Sequence, residues 1–377
     1  MGRPSIFIVE GQSRRRYDGT DRMIQRRTIS LTLLPFIYIL SIYFTDAQTP
    51  TATQSTPHLP VALMRLAPQV NGLNTLDMKP WHIKATYQIY DDEGKPKDQG
   101  TFEEWWAAPD KDKRVYSSST FNQTQYQTSV GKFRVGETNG PPLAEFLVRE
   151  RLVNPMPDAK DMDGAEIRKT DNPFPKWKVT CVELARPMKH EFGSPVGLFP
   201  TYCFDSEKPM LRFGGSFGIL NTVYERIGQL DGHYLGIDVQ VIDRGKQYVT
   251  MHLVEGNLLK AVNDADFAPP ANAVLLPDSG IATVGATVVA GKKLKGSAPI
   301  YPASAKEAHI DGTVLLSALI GEDGHIRELR VTSTPDPSLA ISALIAVRDW
   351  TYTPYELNGK PVQVSTEIHV IYRLSAH

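Results

Sequence analysis

Gly312-Thr-Val-Leu-Leu-Ser-Ala-Leu-Ile320, followed by Glu322-Asp-Gly324 and Ile326 to Thr332, has the pattern of two strands joined by an Asp-Gly turn, a strong short-range signal for a hairpin. Pro335-Asp336-Pro337 stops the second strand, since proline supplies no N–H to a ladder. Beyond it Leu339, Ala343, Leu344, Val347 and Trp350 recur at helical spacing and predict an amphipathic helix lying on the sheet, ended by Pro354. Asn358-Gly359 turns the chain into a last strand, in which Val362, Val364, Thr366, Ile368, Val370, Tyr372 and Leu374 alternate with their neighbours. Just upstream, Pro299-Ile-Tyr-Pro302 and Ala305 to Ala308 predict a rigid turn and a short helix. The order is α-β-β-α-β, a small α+β module over residues 297–377 with a three-stranded antiparallel sheet.

Upstream of this module, Asp266-Phe-Ala-Pro-Pro-Ala-Asn-Ala273 marks a boundary, and residues 269–296 read as a linker. Residues 61–268 form the other folded region, where strand signals dominate. Trp81 to Tyr90 alternates Ile83, Ala85, Tyr87 and Ile89 with polar residues, and Asp92-Glu-Gly94 turns it into Gly100 to Trp106. Further strands are predicted at Lys113 to Phe121, Gln125 to Val135, Trp177 to Leu184, Thr201 to Phe204, Met210 to Phe213, Tyr234 to Ile242 and Gln247 to Val254. One helical interruption falls near Pro142 to Leu152, so the expected fold is α+β: a large, mostly antiparallel, half-barrel-like sheet followed by the small module.

The amino-terminal part reads as targeting sequence. Arg26 and Arg27, the apolar run Ile29 to Phe44 and Thr45-Asp46-Ala47 make residues 23–47 a secretory signal with cleavage after Ala47. The run holds Pro35 and is short against the roughly 20 residues a spanning helix needs, and an uncleaved inner-membrane anchor facing the periplasm is the alternative. Residues 1–22 are charged and polar, which suits a start at Met23, and residues 48–60 read as a flexible leader. No Cys follows the apolar run, which excludes a lipid-anchored start on this reading. The expected location is therefore the periplasm.

Composition agrees with a globular exported protein. Hydrophobic residues make up 41% and charged residues 22%, while a net charge of −1 and the lack of a basic stripe argue against nucleic acid as partner. The two cysteines, Cys181 and Cys203, lie in strand-like segments of one domain, and in an oxidising compartment such a pair favours a disulfide over two buried thiols. Gly214-Gly-Ser-Phe-Gly218 fits the G-x-S-x-G pattern of a hydrolase nucleophile, Ser216, but the flanking strands read as antiparallel, and the nucleophile turn belongs to a parallel α/β sheet. Metal, phosphate-loop and dinucleotide fingerprints are not found, so no cofactor and no catalysis are expected.

Tyr301-Pro302, Gly312-Thr-Val314, Asp323-Gly324, Trp350, Pro354, Asn358-Gly-Lys360 and the closing strand resemble, in order, the TonB C-terminal family. The resemblance implies helices against a three-stranded sheet whose last strand is an edge. It also implies that this edge captures the short "TonB box" of an outer-membrane TonB-dependent receptor, or another envelope partner, by strand addition. Carried onto this chain, the pairing strand is Val364, Ser365, Thr366, Glu367, Ile368, His369, Val370, Ile371, Tyr372 and Arg373. The family's energy transducers carry a His in an amino-terminal membrane helix and a long Pro-rich spacer, and the apolar run here has no His. Binding is therefore the expected role rather than force transduction.

A second resemblance covers about residues 60–268, to half-barrel periplasmic lipoprotein carriers and sorting proteins. It lies in the order of Asn71-Gly-Leu73, a Trp-rich hairpin, Tyr202-Cys-Phe-Asp205 and a long late hairpin, and it implies lipid or lipoprotein as the alternative ligand. Trp81, Trp105, Trp106, Tyr116, Phe121 and Tyr126 would line such a cavity, but buried aromatics more often fill a core.

Overall fold

The computed structural model describes residues 59–174, 177–186, 198–215, 220–276, 282–283, 293–357 and 360–374. The expectations for residues 1–58, for Ser216, for the Asn358-Gly359 turn and for most of the linker lie outside them. The described residues fall in one compact unit containing two main sheets.

The first sheet opens with five strands in meander: β1 (Trp81–Tyr90), β2 (Pro96–Ala108), β3 (Lys111–Ser118), β4 (Asn122–Thr128) and β5 (Gly131–Gly136). The chain then crosses through helices α2 (Leu143–Val153) and α3 (Ala159–Met162), which follow α1 (Leu59–Val70). It returns as β6 (Glu166–Thr170), β7 (Val179–Ala185), β8 (Thr201–Asp205), β9 (Leu211–Gly215), β10 (Asn221–Leu230), β11 (His233–Asp243) and β12 (Lys246–Leu258). With β13 (Val274–Leu275) at one edge the order is β13-β5-β4-β3-β2-β1-β12-β11-β10-β9-β8-β7-β6, every described pairing antiparallel. The second meander thus ends beside the strand where the first began.

Two-residue turns set the late registers. Asp231 and Gly232 (φ 49° and 88°) join β10 to β11, and Arg244 and Gly245 (φ 50° and 78°) join β11 to β12. Positive φ at both central residues matches the right-handed twist of the flanking strands. Helices α1 and α2 supply Met64, Ala67, Leu147, Val148 and Leu152 to a core shared with Trp81, Phe102, Trp106, Tyr116 and Phe121. Those aromatics are buried core residues, and Trp81 Nε1 donates to the Leu73 carbonyl at 3.0 Å; Trp105 and Tyr126 are half-buried.

Three elements differ from expectation. Gln125 to Val135 is two strands, because the Thr128 hydroxyl accepts from Val130 N–H and closes a turn. Strand β10 was not anticipated, since a bulge at Tyr224 to Arg226 breaks its alternation. Strand β6 (Glu-Ile-Arg-Lys-Thr) is a polar outer strand with little apolar pattern to read.

The second sheet combines β14 (Ala282–Thr283), β16 (Gly312–Ile320), β17 (Ile326–Ser333) and β21 (Val364–Tyr372) in the order β14-β21-β16-β17. Its antiparallel part is the three-stranded β21-β16-β17, and β14 adds to β21 in parallel. Two small pairs complete the region: β15 (Lys293–Lys295) with β18 (Thr351–Tyr352), and β19 (Tyr355–Leu357) with β20 (Lys360–Val362). Helix α4 (Ala303–Glu307) precedes β16, and α5 (Pro337–Val347) lies across the sheet. Asp336 caps α5 by accepting from Ser338 N–H at 2.7 Å, with Pro337 opening the helix. Leu339, Ala340, Ala343, Leu344 and Val347 are fully buried.

Helix α5 ends earlier than its apolar spacing suggested. Trp350 lies beyond it, donating Nε1–H to the Ser297 carbonyl at 2.8 Å beneath the Lys293 ammonium, 3.9 Å from the ring centroid. It clamps the incoming connector instead of completing the helix stripe.

Candidate functional site

Strand β21 alternates as its sequence dictates. Val364, Thr366, Val370 and Tyr372 are buried on the face toward α5, while Glu367, His369 and Ile371 are exposed on the other. Tyr372 fixes the strand end: its hydroxyl donates to the Leu339 carbonyl at 3.1 Å, its ring meets Tyr301 edge-on at 5.3 Å, and burial raises its pKa. On the open face, Glu367 and His369 pair at 2.5 Å and about half of each side chain is exposed, so this pair adds little stability. Arg373, just past the strand, is exposed.

Along one side β21 pairs with β16 over its full length, from Val364↔Ile320 to Tyr372↔Gly312. Along the other, Val364 and Ser365 pair in parallel with Ala282 and Thr283. From Thr366 to Tyr372 no second strand is paired among the described residues. The expected pairing strand is thus at the outside of the sheet, partly occupied by the chain's own connector. The Val-rich stretch Ile281 to Ala290 of the connector is the sequence signal for that occupation.

The opposite edge strand, β17, has no strand paired beyond it among the described residues, and its start is held against the large-sheet region by one side chain. Arg327 on β17 donates to the Pro141 carbonyl at 2.6 Å, pairs with Asp323 at 3.0 Å and lies 5.2 Å over the Phe146 ring of α2. Burial depresses the Arg327 pKa against the pull of Asp323. At the β16–β17 turn, Glu322 receives a two-pronged bond from Arg134 of β5 at 2.9 and 3.1 Å. Two crossed ion pairs lie on the far side, Arg348 to Asp243 and Arg244 to Asp349, both at 2.5 Å; the first is largely buried, and the second, more than half exposed, adds little. Gly324 is required in the turn: at φ 77° a Cβ would lie 1.9 Å from the Tyr352 carbonyl oxygen.

Cavities of about 410, 220 and 170 Å³ are lined largely by polar and charged side chains. The smallest of these three, between β3–β5 and the β16–β17 turn, borders Asp112, Arg114, Arg149 and Glu322. Beside it Glu104, fully buried, receives Arg149 at 3.0 Å through two nitrogens and Arg114 at 3.2 Å. Burial, reinforced by Glu104, raises the Asp112 pKa despite Arg114. Cys181 and Cys203 face each other in register on β7 and β8 and are joined by a disulfide. Among the described residues no cluster of His, Cys, Asp and Glu could hold a metal ion, and no helix is long and apolar enough to cross a membrane.

Comparison with known proteins bears mainly on the small sheet. Residues 297–374 match the family model described as Gram-negative bacterial TonB protein C-terminal. Protein TonB of Vibrio cholerae is 31% identical over 77 residues, which are 20% of this chain and 32% of that protein, so the match spans about a third of that relative's length. A LolA superfamily protein from Nitrosomonas europaea aligns over 56% of this chain and 97% of its own, at 8% identity and a TM-score of 0.36. A domain from Vibrio parahaemolyticus described as an outer membrane lipoprotein-sorting protein domain aligns over 55% and 94%, at 9% identity and a TM-score of 0.34. The region from α4 to β21, the whole of the antiparallel part of the small sheet, is therefore the part of this chain that is similar to the TonB C-terminal family.

Proposed function

We propose that this is an exported envelope protein, without catalytic activity, whose C-terminal module binds an outer-membrane transporter or another envelope partner by β-strand addition along β21. The observation that supports the reading is that, among the described residues, Thr366 to Tyr372 pair on one side alone, in a segment similar to the TonB C-terminal family. An unpaired strand edge offers a row of N–H and C=O groups, and an extended partner segment takes its affinity from them and its selectivity from alternate side chains. Val370 and Tyr372 hold the strand in place from the core side, leaving Glu367, His369 and Ile371 to meet the partner. The module comprises residues 297–377, the large sheet residues 61–268, and the chain reaches the periplasm through the signal at residues 23–47.

The test is calorimetry with extended peptides copied from the periplasmic amino-termini of outer-membrane receptors of the same genome. Neighbouring residues of a strand bond to opposite sides, so of Ile368→Pro and His369→Pro one removes an outward donor. That variant should fold, keep β16 and β17 protected from exchange, and lose peptide binding. Two folded variants that bind as tightly as the parent, or a parent that binds no peptide of a broad panel, would refute strand addition.

A further inference from the structure

The connector between the two sheets is held at three places. Val274 and Leu275 form β13 on the edge of β5, Ala282 and Thr283 form β14 on β21, and Lys293 to Lys295 form β15 on β18. The first and last contacts are reinforced: Leu276 N–H donates to the Lys132 carbonyl at 2.8 Å, and Trp350 Nε1–H donates to the Ser297 carbonyl at 2.8 Å. The middle contact sits on the strand that has no other outer partner from Thr366 to Tyr372 among the described residues, and it runs parallel to that strand.

We propose that residues 282–283 act as a tethered ligand of β21, a self-strand that caps the Val364–Ser365 end of the edge and competes with the partner for it. The proposal rests on strand addition at β21 and adds a regulation to it. Tethering on both sides gives the connector a high local concentration at its site without strong contacts. The two described residues of β14 contribute few hydrogen bonds, so a partner strand can displace them. A partner that docks on Thr366 to Tyr372 gains the first two residues of the strand, Val364 and Ser365, only by removing β14. Affinity is therefore set by the connector as well as by the partner, and any event that pulls the connector from β21 strengthens binding.

The experiment uses the full exported chain with Ala282→Pro and Thr283→Pro, one of which must remove the N–H facing β21. Two readings are taken: amide exchange at Val364 to Thr366 in the free protein, and calorimetry with the receptor-derived peptide panel. In the variant that loses the facing donor, exchange at these amides should accelerate and peptide affinity should rise about three- to thirty-fold, the size expected for one or two net hydrogen bonds. Unchanged exchange in both variants overturns the proposal, because the pairing is then absent in solution. Faster exchange with unchanged or weaker affinity also overturns it, because the connector then does not compete. Peptides that bind neither parent nor variants defeat strand addition and the competition with it, whereas faster exchange in that case would still identify β14 as the strand closing β21.

Discussion

Glu322 sits where the turn of the small sheet meets the large one, and neutralising it should uncouple the two. In Glu322→Gln the shape is kept but Arg134 loses the carboxylate that takes both of its terminal nitrogens, at 2.9 and 3.1 Å. The Arg134 side chain is 6% exposed and Glu322 20%, so water cannot fully replace the lost partner. What remains for the guanidinium is the Thr138 carbonyl at 2.6 Å. Breaking a fully buried pair costs about 3–5 kcal/mol, and the partial exposure of Glu322 scales this to roughly 2–3 kcal/mol. Adding Arg134→Met removes the stranded charge, so the double variant should recover more than half of the loss. The assay is urea unfolding of parent, both single variants and the double, with amide exchange at Gly321 to His325 as the local reading. A cost below about 0.5 kcal/mol for Glu322→Gln, the level of an exposed pair, or a double variant no more stable than it, would refute the claim that this contact holds the turn.

Four smaller perturbations probe other parts. Gly324→Ala places a Cβ 1.9 Å from the Tyr352 oxygen at φ 77°, and should cost more than about 2 kcal/mol in a thermal melt. Thr366→Val removes a buried hydroxyl that has no hydrogen-bond partner among the described residues, so stability should be unchanged or rise by up to about 1 kcal/mol, with peptide binding kept. Reducing Cys181–Cys203, separated by 22 residues, should lower stability by about 3 kcal/mol in chemical denaturation. The bond to Asp323, working against burial, raises His325 above its ordinary 6.5, and its stabilisation is present below that pH and lost as pH rises through the folded value. Asp323 is lowered from 3.8, burial being outweighed by His325 and Arg327, and its share is lost as pH falls through the folded value. The stability difference between parent and His325→Gln should therefore shrink as pH rises above 6.5, and a flat difference would exclude the pair as its source.

The small sheet was largely legible because its signals are local: an Asp-Gly turn, paired prolines, a period of two in β21. Trp350 was misplaced for a tertiary reason, since its apolar spacing fits α5 but its indole N–H reaches a carbonyl 53 positions away. In the large sheet, Asp231-Gly232 was a readable hairpin signal, yet the bulge after Tyr224 hid the strand before it. The Glu104–Arg149 and Arg134–Glu322 pairs, 45 and 188 positions apart, have no periodicity to announce them.

The site depends on what covers each edge of the small sheet, which no period in the sequence records. An antiparallel sheet of three strands has two edges, and an uncovered one invites pairing. Here β17 is turned against α2 and the Pro141 segment by Arg327, while Arg134 and Glu322 hold the adjoining turn. Strand β21 receives, among the described residues, a two-residue strand from a connector anchored beyond both ends. Among the described residues, seven of the nine residues of β21 have no strand paired on their outer side, while ion pairs join the rest of the module to the large sheet. A strand already paired with β16 over its full length loses little further order when a partner adds to it, so its backbone groups contribute more of their hydrogen-bond energy to affinity.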